Sequence, residues 1–296
     1  MRRRHVAAWL ATGQQRTEGW VADSGSRLGM EIPFVRASGS RRAWVPQGLA
    51  LDPQTGHLLQ SYYARTRLGY RSWLAVLDPS QGRIVNVVRL GGPGRTPHHA
   101  GGVAVDGERV YVTDKGWLHT YRRADVRRGR WWPIRQVHAP QRVEGGSYAA
   151  MHADRLYLGD FAGALLFTYE RDGQRWRRVG DPIVTPPEGQ GVVVRDQEFV
   201  FSASRGQHHA AYLVVQPRSS REGQAGSKTR HYRLPNMAEG VVEVGGELIT
   251  TYESGAACFV RPFRGLRDGE PVQGRPETMW PLARLTHTPL SALGLE

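Results

Sequence analysis

The sequence predicts an all-β chain folded as a single five-bladed β-propeller of four-stranded antiparallel blades, with a six-bladed ring as the alternative. Three observations predict it. A strand–turn–strand unit occurs five times, opening at Gly48, Gly102, Tyr148, Gly191 and Gly240. Successive openings lie 43–54 residues apart, the length of one blade. No window keeps an apolar stripe at helical spacing for three turns, while 36 glycines and 18 prolines supply turns throughout.

Residues 1–43 stand outside the repeat, as an extension that could lend a ring-closing strand; Met30–Val35 is the candidate. The propeller occupies 44–296. Each unit opens on a short, small and apolar strand, such as Gly102-Val-Ala-Val-Asp106, which suits an innermost strand pressed between neighbouring blades. The second strands are His57–Tyr63, Arg109–Thr113, Arg155–Gly159, Glu198–Ser202 and Glu247–Tyr252. Third and fourth strands follow at Ser72–Asp78 and Ile84–Leu90 in blade one, Trp117–Tyr121 and Ile134–His138 in blade two, and Ala164–Tyr169 and Trp176–Gly180 in blade three. Blade four continues with Ala211–Val215 and His231–Leu234, separated by a polar loop, Pro217–Lys228. Blade five continues with Ala257–Arg261, and Thr278–Arg284 is the candidate outer strand.

The formal net charge is +13, and Lys115 and Lys228 are the only lysines, so arginine carries it. The arginines are scattered and no nucleic-acid motif accompanies them, so no specific nucleic-acid partner is expected. Cys258 is the single cysteine, which excludes an internal disulfide and a cysteine zinc site. Met1–His5 is basic, but only about seven apolar residues follow. A cytoplasmic protein is expected, secreted if that start is a signal peptide. No run approaches the roughly 20 apolar residues of a membrane span, and a monomer is expected.

Blade geometry places the candidate site. In an antiparallel meander, the residues before each first strand and after each second strand meet at one mouth of the central channel. Those positions hold Gln47, His98, His99, Tyr148, Glu188, Gln190 and Glu239 before first strands, and Tyr63, Lys115, His208 and Glu253 after second strands. The turns on the other face, such as Asp106-Gly107, are plain turn chemistry. Titratable side chains gathered in a concave mouth make a site. His99 and His98 are the candidate general bases, since an imidazole is matched to neutral pH. Glu188 and Glu239 are the candidate ligands of a divalent cation, calcium or magnesium. Gln47, Tyr63, Lys115, Tyr148, Gln190, His208 and Glu253 are the candidate substrate contacts. Glu188 and Glu239 have a second reading, as acceptors for inner-strand amides.

The motifs Pro46-Gln-Gly-Leu-Ala-Leu-Asp52 and Gly101-Gly-Val-Ala-Val-Asp106 resemble the blade openings of the NHL, SMP-30/gluconolactonase and streptogramin-lyase-like propellers. Gln47-Gly48 and Glu239-Gly240 are also similar to blade openings of five-bladed glutaminyl cyclases. The resemblance covers about 46–260 and concerns fold. It implies either a metal-assisted lyase, lactonase or cyclase with its site at the mouth, or a non-catalytic platform for a protein or polyanion. The lactonases hold calcium with Glu plus Asn or Asp; here only Glu188, Glu239 and nearby Asn236 match in type.

Overall fold

The computed structural model describes residues 2–35, 44–66, 69–92, 94–128, 131–207, 209–218, 229–256, 259, 266–267, 270–271 and 281–295. They form five four-stranded antiparallel blades in a ring. Blade one comprises Trp44–Leu51, Leu58–Thr66, Gly69–Asp78 and Arg83–Leu90. Blade two comprises Gly102–Asp106, Arg109–Thr113, Trp117–Arg122 and Gln141–Arg142. Blade three comprises Tyr148–His152, Arg155–Asp160, Leu165–Asp172 and Arg175–Val184, and blade four Gly189–Val194, Glu198–Ala203, Ala211–Pro217 and Arg230–Leu234. Blade five is built from both ends of the chain: Ala238–Val244, Glu247–Tyr252, Arg284–Pro289 and, outermost, Arg27–Glu31. Arg27 donates to Glu247 through Nε (2.9 Å) and Nη2, which fastens that last strand across the ring seam.

The repeat glycines are needed because the inner strands converge. A Cβ on Gly48 would lie 2.7 Å from the carbonyl oxygen of Gly101, and one on Gly102 would lie 2.5 Å from the amide nitrogen of Ala149. One on Gly191 would lie 2.8 Å from the amide nitrogen of Val241, and one on Gly240 would lie 2.8 Å from the carbonyl oxygen of Gln47. Every target is backbone of a neighbouring inner strand, which cannot swing aside. In blade three Tyr148 takes the glycine's place, and its ring packs over Gly159 and Gly189, which leave the room. Away from the channel the blades diverge, and apolar side chains fill each interface. Val88, Val103 and Val110 pack between blades one and two, and Leu118, Leu158 and Trp176 between two and three. Tyr157, Leu166 and Phe199 pack between blades three and four. The largest cluster joins blades four, five and one to the N-terminal segment through Val21, Ile32 and Val35.

Four details depart from the sequence reading. Residues Arg2–Asp23 form a helix, although they carry no continuous apolar stripe; Val21 and Trp20 anchor its end in the core, and packing replaces amphipathicity. The closing strand is Arg27–Glu31 rather than Met30–Val35, because Phe34 turns the chain at φ 65°. The fourth strand of blade two is Gln141–Arg142. Pro133–Ile134 instead runs parallel to the outer strand of blade one, after a six-residue helix, Arg123–Arg128. The third strand of blade five is Arg284–Pro289. Residues 257, 258, 260 and 261 of the expected strand, Cys258 among them, lie outside the described residues, as do 219–228 and 278–280.

Gly240→Ala should cost about 1–3 kcal/mol, the range for overpacking a filled interior, read as a lower midpoint in chemical denaturation. Gly19→Ala has open space around it on the helix and should be neutral or stabilising by up to about 1 kcal/mol. Equal effects from the two would contradict the account of the inner strands.

Candidate functional site

All five blades contribute to one cavity of about 320 Å³ at the channel mouth. Blade one gives Gln47 and Tyr63, the loop into blade two gives His99, and blade two gives Lys115. Blade three gives Ser147 and Phe161, blade four Gln190, and blade five Glu239 and Glu253. Gly101 and Gly146 complete the wall.

The loop carrying His99 is pinned on both sides. The His98 amide donates to buried Asp114 Oδ2 (3.0 Å). The Ala100 amide donates to Ser72 Oγ (3.1 Å), and the Ala100 carbonyl accepts from Ser61 Oγ (2.8 Å). The same Ser61 Oγ accepts from the Gly48 amide (2.9 Å), which ties the loop to the first inner strand. Lys115 and Gly116 have φ 48° and 79° and are flanked by the Asp114–Trp117 backbone pair. That is a two-residue hairpin turn with both central residues left-handed, the geometry matched to strand twist.

Between the walls runs a closed set of side-chain contacts. His99 stacks on Tyr63 with ring centres 4.2 Å apart and planes 22° apart. Tyr63 is hydrogen-bonded to the Glu253 carboxyl. Gln47 Nε2 donates to Glu253 Oε1 and to the Pro46 carbonyl (2.8 Å). The reversed amide would aim its oxygen at the Pro46 carbonyl, which only accepts, so the orientation is fixed. Gln47 Oε1, 2.7 Å from His99 Nε2, is therefore the acceptor. His99 carries its hydrogen on Nε2 and leaves Nδ1 bare.

Glu239 and Glu253 sit side by side on blade five. Ala238 pairs with Tyr252 across the first hairpin, and the Glu253 amide donates to the Met237 carbonyl (3.0 Å). Glu239 is 3% exposed, and burial followed by the charge of Glu253 holds its carboxyl well above the usual range. Burial pushes Glu253 up to about 8, against the lowering effect of its bonds from Gln47 and Tyr63. His99 is pushed down to about 4, by burial first and then by Lys115, with Asp114 opposing. At neutral pH the cavity thus holds a neutral imidazole, protons on the carboxyl pair, and the Lys115 side chain at the lip.

Three sequence candidates stand elsewhere, and a fourth is not among the described residues. Glu188, at φ 64°, turns to Arg205 (3.3 Å) and is absent from the cavity wall. His98 is exposed and contributes its backbone amide to Asp114. Tyr148 is buried between blades three and four, where its ring fills space that a glycine leaves open. His208 lies outside the described residues. Among the described residues no group of three or more His, Cys, Asp or Glu side chains could hold a metal ion. The calcium donor set that the resemblance implies is therefore not assembled there, since Glu188 is held by Arg205. The sequence reading treated Glu239 and Glu253 separately. Their nearness was readable from the hairpin: counting outward from the Val244–Glu247 turn brings residue 253 beside 238, and a bulge between Ala238 and Val241 shifts it to 237.

No protein-family model matches the chain, and no curated protein matches it. Solved structures similar to it in shape include glutaminyl cyclase of Myxococcus xanthus, at 20% identity, covering 77% of this chain and 91% of that one with a TM-score of 0.48. Hydrazine synthase of Kuenenia stuttgartiensis is similar at 12% identity, over 70% of this chain and 55% of that one, with a TM-score of 0.42. A chain of the nidogen/laminin complex is similar at 14% identity, over 70% and 72%, with a TM-score of 0.41.

The carboxyl pair has a signature in stability. A folded-state acid raised from 4.5 to about 8 keeps its proton where the unfolded chain releases it. Its contribution is full below pH 4.5 and is lost as pH rises towards 8. Denaturation midpoints should fall across that window, and Glu253→Gln should flatten the slope and raise the midpoint at its alkaline end. A slope unchanged by Glu253→Gln would contradict the assignment.

Proposed function

We propose that the mouth cavity binds a small polar molecule and that the Glu239–Glu253 pair exchanges protons with it. The observation that carries this reading is a carboxyl pair, Glu239 buried and Glu253 half-buried, opening onto a cavity built from all five blades. A cavity of about 320 Å³ is at the small end of ligand pockets. Glu253 is the group best matched to neutral pH: titrating near 8, it can hold a proton at rest and move it without a large free-energy cost. Glu239 keeps a second proton beside it. His99 stays neutral, so its part is to present bare Nδ1 as an acceptor rather than to carry charge. Lys115 at the lip favours a substrate group that is anionic or becomes so. Phe161 and the Tyr63–His99 stack offer flat surfaces to the rest of the molecule.

Lyase, lactonase and cyclase reactions share the need met here, a proton delivered to a departing oxygen or nitrogen. The likeness of the blade openings to the SMP-30/gluconolactonase and streptogramin-lyase-like propellers supports the same range of chemistry. No step is assigned to a metal, because the expected pair Glu188 and Glu239 is not joined at the cavity.

The test is turnover and ligand-induced thermal shift on lactones, β-substituted acids and terminal amides, with wild type, Glu253→Gln and Glu239→Gln. Either substitution should lower turnover by about 10²–10⁴-fold, the usual worth of a general acid, with the fold intact. Full activity in both variants, or no turnover and no thermal shift anywhere in the panel, would contradict the proposal.

A further inference from the structure

The outer edge of blade one carries exposed apolar side chains and arginines that form no ion pair among the described residues. The chain after the short helix crosses that edge. Asn86 Nδ2 donates to the Val126 carbonyl (2.7 Å), the Trp131 amide to Val87 (2.7 Å) and the Arg89 amide to Trp132 (3.3 Å). Pro133–Ile134 then pairs with Arg89 and Leu90. These bonds occupy the edge's backbone along this stretch, so an added strand has little to pair with there. What faces outward is side chain.

Trp132 is 76% exposed, Trp131 60%, and Ile84 and Val85 40% each. They are four of the eight large apolar side chains exposed among the described residues, which makes this edge the apolar concentration on the surface. Arg127 and Arg128 on the helix, and Arg135 beyond it, are exposed and form no ion pair among the described residues. Arg122, Arg128 and Arg135 line a cleft of about 610 Å³ together with Trp132, and Asp125 is the one acid in its wall. Several arginines elsewhere are engaged. Arg171 lies 4.8 Å over the Trp176 ring and pairs with Asp106. Arg178 lies 5.2 Å over Phe167 and 2.9 Å from Glu144. Arg95 and Arg142 both lie against Trp117, at 5.4 and 5.2 Å.

We infer that this edge of blade one docks on an anionic phospholipid bilayer, with Trp131, Trp132, Ile84 and Val85 entering the interface and Arg127, Arg128 and Arg135 meeting the headgroups. Tryptophan is at home at the depth of the headgroups, and exposed arginines are drawn to an anionic leaflet. A site for single-stranded nucleic acid would space aromatic platforms along a basic groove. Here the two tryptophans are consecutive rather than spaced, Trp131 lies against Phe34 and Trp44, and the exposed Ile84 and Val85 of the same edge strand stack on no base but dissolve in acyl chains. The proposal is independent of the mouth cavity.

The test is co-sedimentation of the whole protein with phosphatidylcholine vesicles, with and without phosphatidylserine, alongside tryptophan emission. Binding should require phosphatidylserine, weaken with salt, and shift emission to the blue. Trp132→Ala, and the double change Arg128→Ala with Arg135→Ala, should each weaken binding by about tenfold or more. Arg175→Ala removes the same kind of charge from blade three and should leave binding unchanged, as should Glu253→Gln. Should Trp132→Ala melt early, the arginine pair alone decides. Absence of binding to phosphatidylserine vesicles, or equal loss with Arg175→Ala, would overturn the inference. So would single-stranded oligothymidylate binding with the same dependence on Trp132, which would mark a nucleic-acid surface instead.

Discussion

Five inner strands meeting around one channel set the terms for everything else in this protein. Their backbones come so close at the mouth that Gly48, Gly102, Gly191 and Gly240 have no room for a β-carbon. Where blade three breaks the rule with Tyr148, Gly159 and Gly189 withdraw to receive its ring. The closeness is the reason the sequence repeats visibly at these positions and varies elsewhere. It also buries Gln47 and Glu239, which stand next to two of these glycines. Glu239 adjoins Gly240, and Gln47 adjoins Gly48. Their burial follows from the ring itself.

A carboxyl buried in that position must keep its proton or find a cation. Glu239 has Glu253 as its neighbour, which makes ionisation harder for both members of the pair. Gln47 and Tyr63 hold the pair in place through Glu253, and the His99 ring closes the set by stacking on Tyr63 and bonding to Gln47. Three blades thus share one polar network, and its geometry depends on ring closure. That closure is made by the first strand of the chain, Arg27–Glu31, bound to the last blade through Arg27 and Glu247. Stability of the seam and geometry of the site are therefore linked across the molecule.

Much of this was legible in the sequence because a propeller is periodic. The five openings fixed blade number and the face on which Gln47, Tyr63, His99, Lys115, Gln190, Glu239 and Glu253 come together. What could not be read depended on non-periodic detail. Glu188 stands three residues before its repeat glycine, as Met237 does, and its left-handed backbone turns the side chain to Arg205, whereas Glu239 adjoins its glycine as Gln47 and Gln190 do. The helix Arg2–Asp23 has no amphipathic period to announce it, and Pro133–Ile134 pairs with a neighbouring blade rather than its own. The +13 charge looked scattered along the chain; in space, several arginines are spent on rings such as Trp176, Phe167 and Trp117.

The central claim is that the mouth holds protonated carboxyl groups at neutral pH. Infrared difference spectroscopy reads this directly, through the carbonyl stretch of a protonated buried carboxyl. The account predicts that band in wild-type protein at neutral pH, weakened as pH rises past about 8, and diminished by Glu253→Gln and by Glu239→Gln in otherwise native spectra. A spectrum showing only ionised carboxylates at neutral pH, or a band that neither substitution touches, would contradict it.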